Sequence, residues 1–145
     1  MTTTANAPVA VAQLQPYIFF YGRCEEALNF YKGLFGGTYE VMLVKDSPVA
    51  EQFPADFREK VMHSSFTAPG IQFMASDGRE AKAVDPDAGN ISIALSFTDA
   101  AKGEHIFAAL SEGGKVSMPL APAFWGGRFA SLSDRFGIEW LLTVP

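Results

Sequence analysis

The sequence predicts an α+β fold made of two βαβββ modules, and three observations carry that prediction. A unit of strand, short break, helix and double glycine occurs twice, at residues 16–37 and again at 90–114. Several short strand-like runs follow each copy. The 145 residues suit one compact domain. A repeat at about half the chain length outranks any local motif as an organising signal. Residues 1–12 are expected to be a disordered tail, 13–77 the first module, 78–89 a linker and 90–145 the second module.

Residues 15–21 are aromatic and β-branched enough for a strand. Alternation sets Tyr17, Phe19 and Tyr21 on one face and Pro16, Ile18 and Phe20 on the other. Both faces are apolar, so neither is expected to meet bulk water. Gly22 and Arg23 break the strand. Cys24, Ala27, Leu28, Tyr31, Leu34 and Phe35 then recur at helical spacing. Glu25 and Glu26 complement the positive end of that helix, and Gly36-Gly37 stops it. Cys24 reads as a small buried helix residue.

Residues 38–44 read as the second strand. The stretch 45–60, with Pro48, Pro54 and mixed charge, is a long connection of the kind that covers something or moves. Strands are expected at 61–67 and 71–76 around the turn Ala68-Pro69-Gly70. Asp77 reads as a solvated strand-end residue near a cavity mouth.

In the second module, Ile91, Ile93, Leu95 and Phe97 form an apolar face. Ser92, Ala94 and Ser96 form a small, weakly polar one that leaves space for a cavity. Asp99 caps the second helix, whose inward stripe is Ile106, Ala109 and Leu110. His105 lies off that stripe and is expected in solvent. Residues 116–120 form a strand that Pro119 and Pro122 confine to an edge or an end. An aromatic turn at 124–128, a strand at 129–133, a tight turn at 134–137 and a last strand at 138–144 complete the chain. Asp134 is read as a turn residue.

Composition narrows the function. The net charge of −5 offers no basic stripe, so nucleic acid is not an expected partner. No run of about 18 apolar residues exists, so no membrane partner is expected. The start of the chain lacks the charge of a signal peptide. Cys24 is the single cysteine, which excludes an internal disulfide and permits a reducing compartment. A cytoplasmic location is the expectation. The 13 Phe suggest an aromatic interior or an aromatic-lined pocket.

Several words in the chain resemble the PhnB-like branch of the vicinal oxygen chelate superfamily. They are Pro16-Tyr17, Glu26-Ala27 with Phe30-Tyr31 and Phe35-Gly36-Gly37, and Val61-Met62-His63. Further on come Gly113-Gly114-Lys115-Val116, Met118-Pro119-Leu120, Phe124-Trp125-Gly126, and Asp134-Arg135-Phe136-Gly137 with Trp140. The superfamily includes glyoxalase I, bleomycin-resistance proteins and extradiol dioxygenases. The resemblance implies that the modules curl into an incomplete barrel around a cavity. It also implies a homodimer, since modules in this superfamily commonly pair across subunits. Closed two-fold dimers are in any case the default oligomer. The branch carries the name demethylubiquinone methyltransferase. The sequence, however, has no Gly-rich strand-to-helix turn of the kind that holds a nucleoside cofactor.

Enzymes of the superfamily hold one divalent metal through His, Glu or Gln on equivalent strands. Alignment on the helices and glycines sets those positions at Pro16, Met74, Ser92 and Leu141, none an ordinary ligand for a hard cation. A shift of one residue brings Gln15 or Tyr17, Ile91 and Trp140. A shift of two brings Asn90 and Glu139. The expectation is therefore no metal and no other cofactor.

The favoured reading is a small-molecule binding protein. Ile18, Phe20, Met74 and Leu141 would form the apolar wall, and Ser92, Ala94 and Ser96 would leave room. His63, Trp125 and Arg128 would orient the ligand. His63 is the candidate for catalysis, as a general base or lone ligand, against a structural role. The alternative is a metal-dependent lyase, isomerase or dioxygenase built on His63 with Glu139 or Gln72. A ligand-free structural dimer is the third reading.

Overall fold

In the computed structural model, which describes residues 7–84 and 89–145, the duplicated unit becomes two open, curled four-stranded sheets with one helix each. Part of the expected tail, residues 1–6, and part of the expected linker, residues 85–88, lie outside the described residues. The first module runs β1 (Tyr17–Phe19), α1 (Cys24–Phe35), β2 (Thr38–Leu43), β3 (Val61–Ala68) and β4 (Ile71–Ser76). The second runs β5 (Ile93–Ser96), α2 (Ala100–Ser111), β6 (Lys115–Pro122), β7 (Arg128–Ser133) and β8 (Glu139–Val144). Sheet orders are β1-β4-β3-β2 and β5-β8-β7-β6. β1 lies parallel to β4 and β5 parallel to β8, and the other pairs are antiparallel.

Both helices end where glycine permits it. Gly36 and Gly37 have φ of 72° and 82°, and Gly113 has φ of 77°. A Cβ on Gly37 would also run into the Thr67 carbonyl and Ala68, so this glycine lets α1 end against β3. Cys24, Ala27, Leu28 and Tyr31 of α1 are fully buried, as their spacing predicts. At the start of α2 the Asp99 carboxylate accepts the Lys102 N–H at 3.1 Å. β6 is an edge strand, and its ladder slips at Met118 and again before Ala121, around Pro119. A proline lacks the N–H that a central strand needs.

The long connection carries structure of its own. Single 3-10 turns at Val44–Asp46, Ala50–Gln52 and Ala55–Phe57 fold it over a small cluster of Val44, Phe53 and Phe57. The two Phe rings stack with centroids 6.4 Å apart.

Two buried carboxylates tie these pieces together, and one corrects the sequence reading. Asp77 is not solvated. Its Oδ1 accepts the N–H of Gly22 at 2.8 Å and of Cys24 at 2.7 Å, while Oδ2 accepts the Val61 N–H at 2.8 Å. The first turn of α1 has N–H groups without intrahelical partners, and Arg23 offers no capping oxygen. A carboxylate from the end of β4 supplies it instead.

Asp134 serves as the turn residue expected and does more. Oδ1 accepts the N–H of Phe136 at 2.9 Å and of Ile138 at 3.0 Å. Oδ2 accepts the Tyr31 hydroxyl at 2.5 Å and the Trp140 indole N–H at 2.8 Å. Tyr31 belongs to the first module and Trp140 to the second, so this carboxylate joins them. The Tyr31 ring meets Phe73 at 6.0 Å on one side and Trp140 at 5.8 Å and Phe136 at 5.9 Å on the other.

Replacing Asp134 with Ala should therefore strand a buried hydroxyl and a buried indole N–H. The expected loss is on the order of 3–4 kcal/mol in urea unfolding. Tyr31→Phe leaves three donors on the carboxylate and should cost only about 1–2 kcal/mol.

Burial pushes the Cys24 thiol up to about 12, with the Asp77 charge adding to the effect. Burial, the Asp134 charge and the hydrogen bond to it push the Tyr31 hydroxyl well above its ordinary value. Both groups hold their protons more tightly when folded. Their contribution to stability is full below about pH 9 and falls as pH rises toward 12. Urea midpoints should thus be level from neutral to about pH 9 and drop beyond it.

Candidate functional site

Cross-strand register decides which side chains leave the core. Tyr17 pairs with Met74, Ser65 with Met74, and Met42 with His63. These residues share a face with Phe19, opposite the helix. Ile18 and Phe20 lie on the other face with Ala75 and Ser64, inside the core. This corrects the expected place of Phe20 alone: Ile18 still lines the groove described below, and Met74 stands on the open face. Phe20 is 3% exposed and packs edge-on against Phe136 at 5.9 Å, so it belongs to the core rather than the open face. The open face carries Tyr17, at 40% exposure, and Phe19, at 47%.

A groove of about 380 Å³ runs where edge strand β1 meets the ends of β5 and β8. Tyr17, Phe19 and Tyr21 form one wall, and Ile91, Ile138 and Glu139 the other. The volume lies within the range of small-molecule sites. The three aromatic rings form a ladder, with centroids 5.3 Å apart for Tyr17 and Phe19 and 6.1 Å for Phe19 and Tyr21. Gly78 lies under Tyr21 and Phe19. Tyr21 adopts a positive φ of 48°, and the Lys82 ammonium sits 4.4 Å above its ring.

Two polar pairs serve this groove. The Tyr17 hydroxyl lies 3.2 Å from His63 Nδ1, and their rings are 5.7 Å apart. Across the groove, Ser92 donates to Glu139 at 2.5 Å. His63 is thus exposed and paired to a wall residue, and Ser92 acts through Glu139. The other two candidates lie elsewhere. Arg128 is taken by Glu104 of α2 at 2.5 Å, on the helix side of its sheet. Trp125 lies on the β6–β7 hairpin tip, 59% exposed, against Phe124 and Phe129. It is not beside a free guanidinium. Tyr17, Phe19 and Tyr21 were visible as a common face in the sequence, but nothing there distinguished them from the equally apolar face behind.

The hydrogen-bond register also relates the two modules. The Phe20 N–H bonds the Ser76 carbonyl at 2.8 Å, and the Phe97 N–H bonds the Thr143 carbonyl at 2.9 Å. On that correspondence Gln15 matches Ser92 and Gln72 matches Glu139. Alignment of sequence alone puts Pro16 at the first of these positions, a slip of one residue that turns the side chain to the wrong face. Met74 and Leu141 do match each other. In the first module the position is an amide chain: Gln13 donates to Gln72 at 2.6 Å, and Gln15 donates to Gln13 at 3.0 Å.

A family model described as 3-demethylubiquinone-9 3-methyltransferase matches residues 12–143. Among solved structures, the chain is similar to protein PA1353 from Pseudomonas aeruginosa, with 36% identity, a TM-score of 0.74 and coverage of 91% of this chain and 98% of that one. It is similar to a putative 3-demethylubiquinone-9 3-methyltransferase, PhnB protein, from Bacillus cereus at 24% identity, with a TM-score of 0.71 and coverage of 92% and 99%. A glyoxalase/bleomycin resistance protein/dioxygenase superfamily member from Sphaerobacter thermophilus shares the fold, with 22% identity, a TM-score of 0.53 and coverage of 93% and 98%.

The divalent metal that the superfamily resemblance implies does not fit these donors. The four corresponding positions offer two amides, one hydroxyl and one carboxylate, so a divalent ion would meet a single charged ligand and no imidazole. Among the described residues no group of three or more His, Cys, Asp or Glu is placed to hold a metal ion. His63 and Glu139 are each engaged with a different partner, and Gln72 accepts from Gln13. At each helix start a carboxylate already takes an N–H that could meet a nucleoside phosphate, Asp77 that of Cys24 and Asp99 that of Lys102.

Added Mn, Fe(II), Co, Ni or Zn, each tested at about ten times the protein concentration, should leave the melting temperature unchanged, since only an ion that binds the native state raises it. Metal content measured on untagged protein should fall well below one ion per chain.

Proposed function

Because the chain belongs to the 3-demethylubiquinone-9 3-methyltransferase family, the PhnB-like branch of the glyoxalase/bleomycin resistance/dioxygenase superfamily, we propose that it binds a small planar, hydrophobic molecule in the groove between its two sheets. The observation that carries this reading is the aromatic ladder of Tyr17, Phe19 and Tyr21 along an open groove wall. Aromatic side chains left half in water are costly unless something stacks on them.

Ile91 and Ile138 supply the opposing apolar surface. The Tyr17–His63 and Ser92–Glu139 pairs give the ligand polar contacts on each side. Such a pocket orients a flat body by a few fixed donors and acceptors.

The working unit in this proposal is a homodimer. Met118 and Met42 stand out from the open faces, and Phe124 and Trp125 project from a hairpin tip at 97% and 59% exposure. A second copy set against those faces removes this surface from water and closes the groove. Among the described residues no helix is long and apolar enough to cross a membrane.

The test is a thermal-shift and calorimetric screen with naphthoate and other planar aromatic acids. A saturable stabilisation is expected. Phe19→Ala should weaken the best ligand by about tenfold. It should change unfolding free energy by less than about 0.5 kcal/mol, because Phe19 is not part of the core. His63→Ala should weaken binding with stability unchanged, whereas a structural histidine would lose stability. Equal affinity in the Phe19 variant would sink the groove assignment. Sedimentation should give twice the chain mass, and a monomer at assay concentration would refute the dimer.

A further inference from the structure

A second cavity, about 400 Å³, lies on the other side of the β7–β8 turn, at the junction of the two modules. Its lining includes Arg23, Lys82, Lys115 and Arg135. These four come from four separate stretches of chain and make up four of the 11 basic residues in a protein of net charge −5. Among the described residues one acid lines the cavity, Asp134, and four donors already occupy its two oxygens.

The basic side chains are held rather than free to swing. Arg23 donates to both oxygens of Glu26, reaches the Arg135 carbonyl at 3.2 Å, and lies 4.5 Å over the Phe136 ring. Lys82 sits over Tyr21, with Glu80 as a distant partner at 3.7 Å. Arg135 stacks 4.2 Å over Phe30 and packs against Gly113. Its Nε is buried and has no hydrogen-bond partner among the described residues. A guanidinium clamped on an aromatic ring is a preorganised fork for an oxyanion. Leaving that buried N–H without an acceptor is costly. Asp85 and Asp87, next along the chain from Val84, lie outside the described residues.

We propose that this junction cavity binds a small molecule through a phosphoryl or carboxylate group, with Arg135 as its main contact and Lys82 at its rim. The site is separate from the aromatic groove. Gly137 lines both cavities, but the groove's stacking residues and the anion's partners are different side chains.

The probes are inorganic phosphate, pyrophosphate and citrate, titrated into the full chain with sodium chloride matched for ionic strength. Saturable shifts are expected at the Arg135 Nε–H and at the Gly113 and Gly114 amides in nitrogen–proton spectra. Arg135→Gln should bind about tenfold more weakly, the loss of one charge-assisted contact. Phe19→Ala should bind as the parent does, so the result does not depend on the groove. If Arg135→Gln fails to fold, Lys82→Gln carries the test, with an expected weakening of about threefold. The proposal is overturned by shifts no larger than those from chloride, or by unchanged affinity in the folded variant. Preference for pyrophosphate over citrate identifies a phosphoryl ligand, and the reverse a carboxylate.

Discussion

Four donors meet on the Asp134 carboxylate, and the arrangement of the molecule depends on that meeting. Two of them are backbone N–H groups that shape the β7–β8 turn. The other two are the tips of Tyr31 and Trp140, which bring α1 of the first module against β8 of the second. A buried carboxylate with fewer donors would be a liability. With four it fixes the angle at which the modules meet, because a hydrogen bond has direction where apolar packing has little. Asp77 does comparable work within the first module, fastening the start of α1 to the starts of β3 and the β1 exit. The two buried carboxylates among the described residues are thus both spent on architecture.

That economy shapes the surface as well. With α1 and the helix-facing sides of both sheets committed to one core, the opposite sides stay open. β1 and β5 are edge strands of separate sheets, and the groove exists because their ends come together without hydrogen bonding to each other. Duplication supplies the symmetry, and the differences between the copies supply the chemistry. At corresponding positions one module has Gln15 and Gln72 and the other has Ser92 and Glu139. The first pair is joined through Gln13, and the second bonds directly. One wall is built of large rings. The strand that matches it carries the small residues Ala94 and Ser96, which line a separate pocket with Phe35 and Ile71 and not the groove.

Much of this was legible in the residues. The bounds of α1 followed from Gly22, the apolar spacing and Gly36-Gly37. The edge position of β6 followed from Pro119 and Pro122, and Asp99 was recognisable as a cap. The site was harder, for identifiable reasons. In β1 every residue from Tyr17 to Tyr21 is apolar or aromatic, so alternation gave two faces and no means of choosing between them. Phe20 reads as a wall residue from alternation, yet its neighbours Ile18 and Phe19 line the groove. Asp77 looked solvated because nothing local reveals that Arg23 leaves α1 without a cap. Arg128 looked available because Glu104, its partner, is 24 positions away on a helix. Each miss concerns a contact made in three dimensions between residues distant in sequence. The choice between Phe19 and Phe20 was decided by strand register, which a single sequence specifies only where one face is polar.

The polar pairs in the groove set a condition on any occupant. The Tyr17 hydroxyl and His63 satisfy each other, as do Ser92 and Glu139. A purely apolar guest would gain stacking and leave those pairs untouched, so it would bind without orientation. A guest that breaks into a pair must return the bonds it displaces, because a partly buried group left unpaired costs about as much as stacking gains. On the binding proposal, the groove would discriminate by where polar atoms sit at the rim of a flat body, more than by how apolar that body is. The same reasoning separates binding from catalysis here. A histidine whose Nδ1 is already turned to a phenol has the orientation of its ring set in advance.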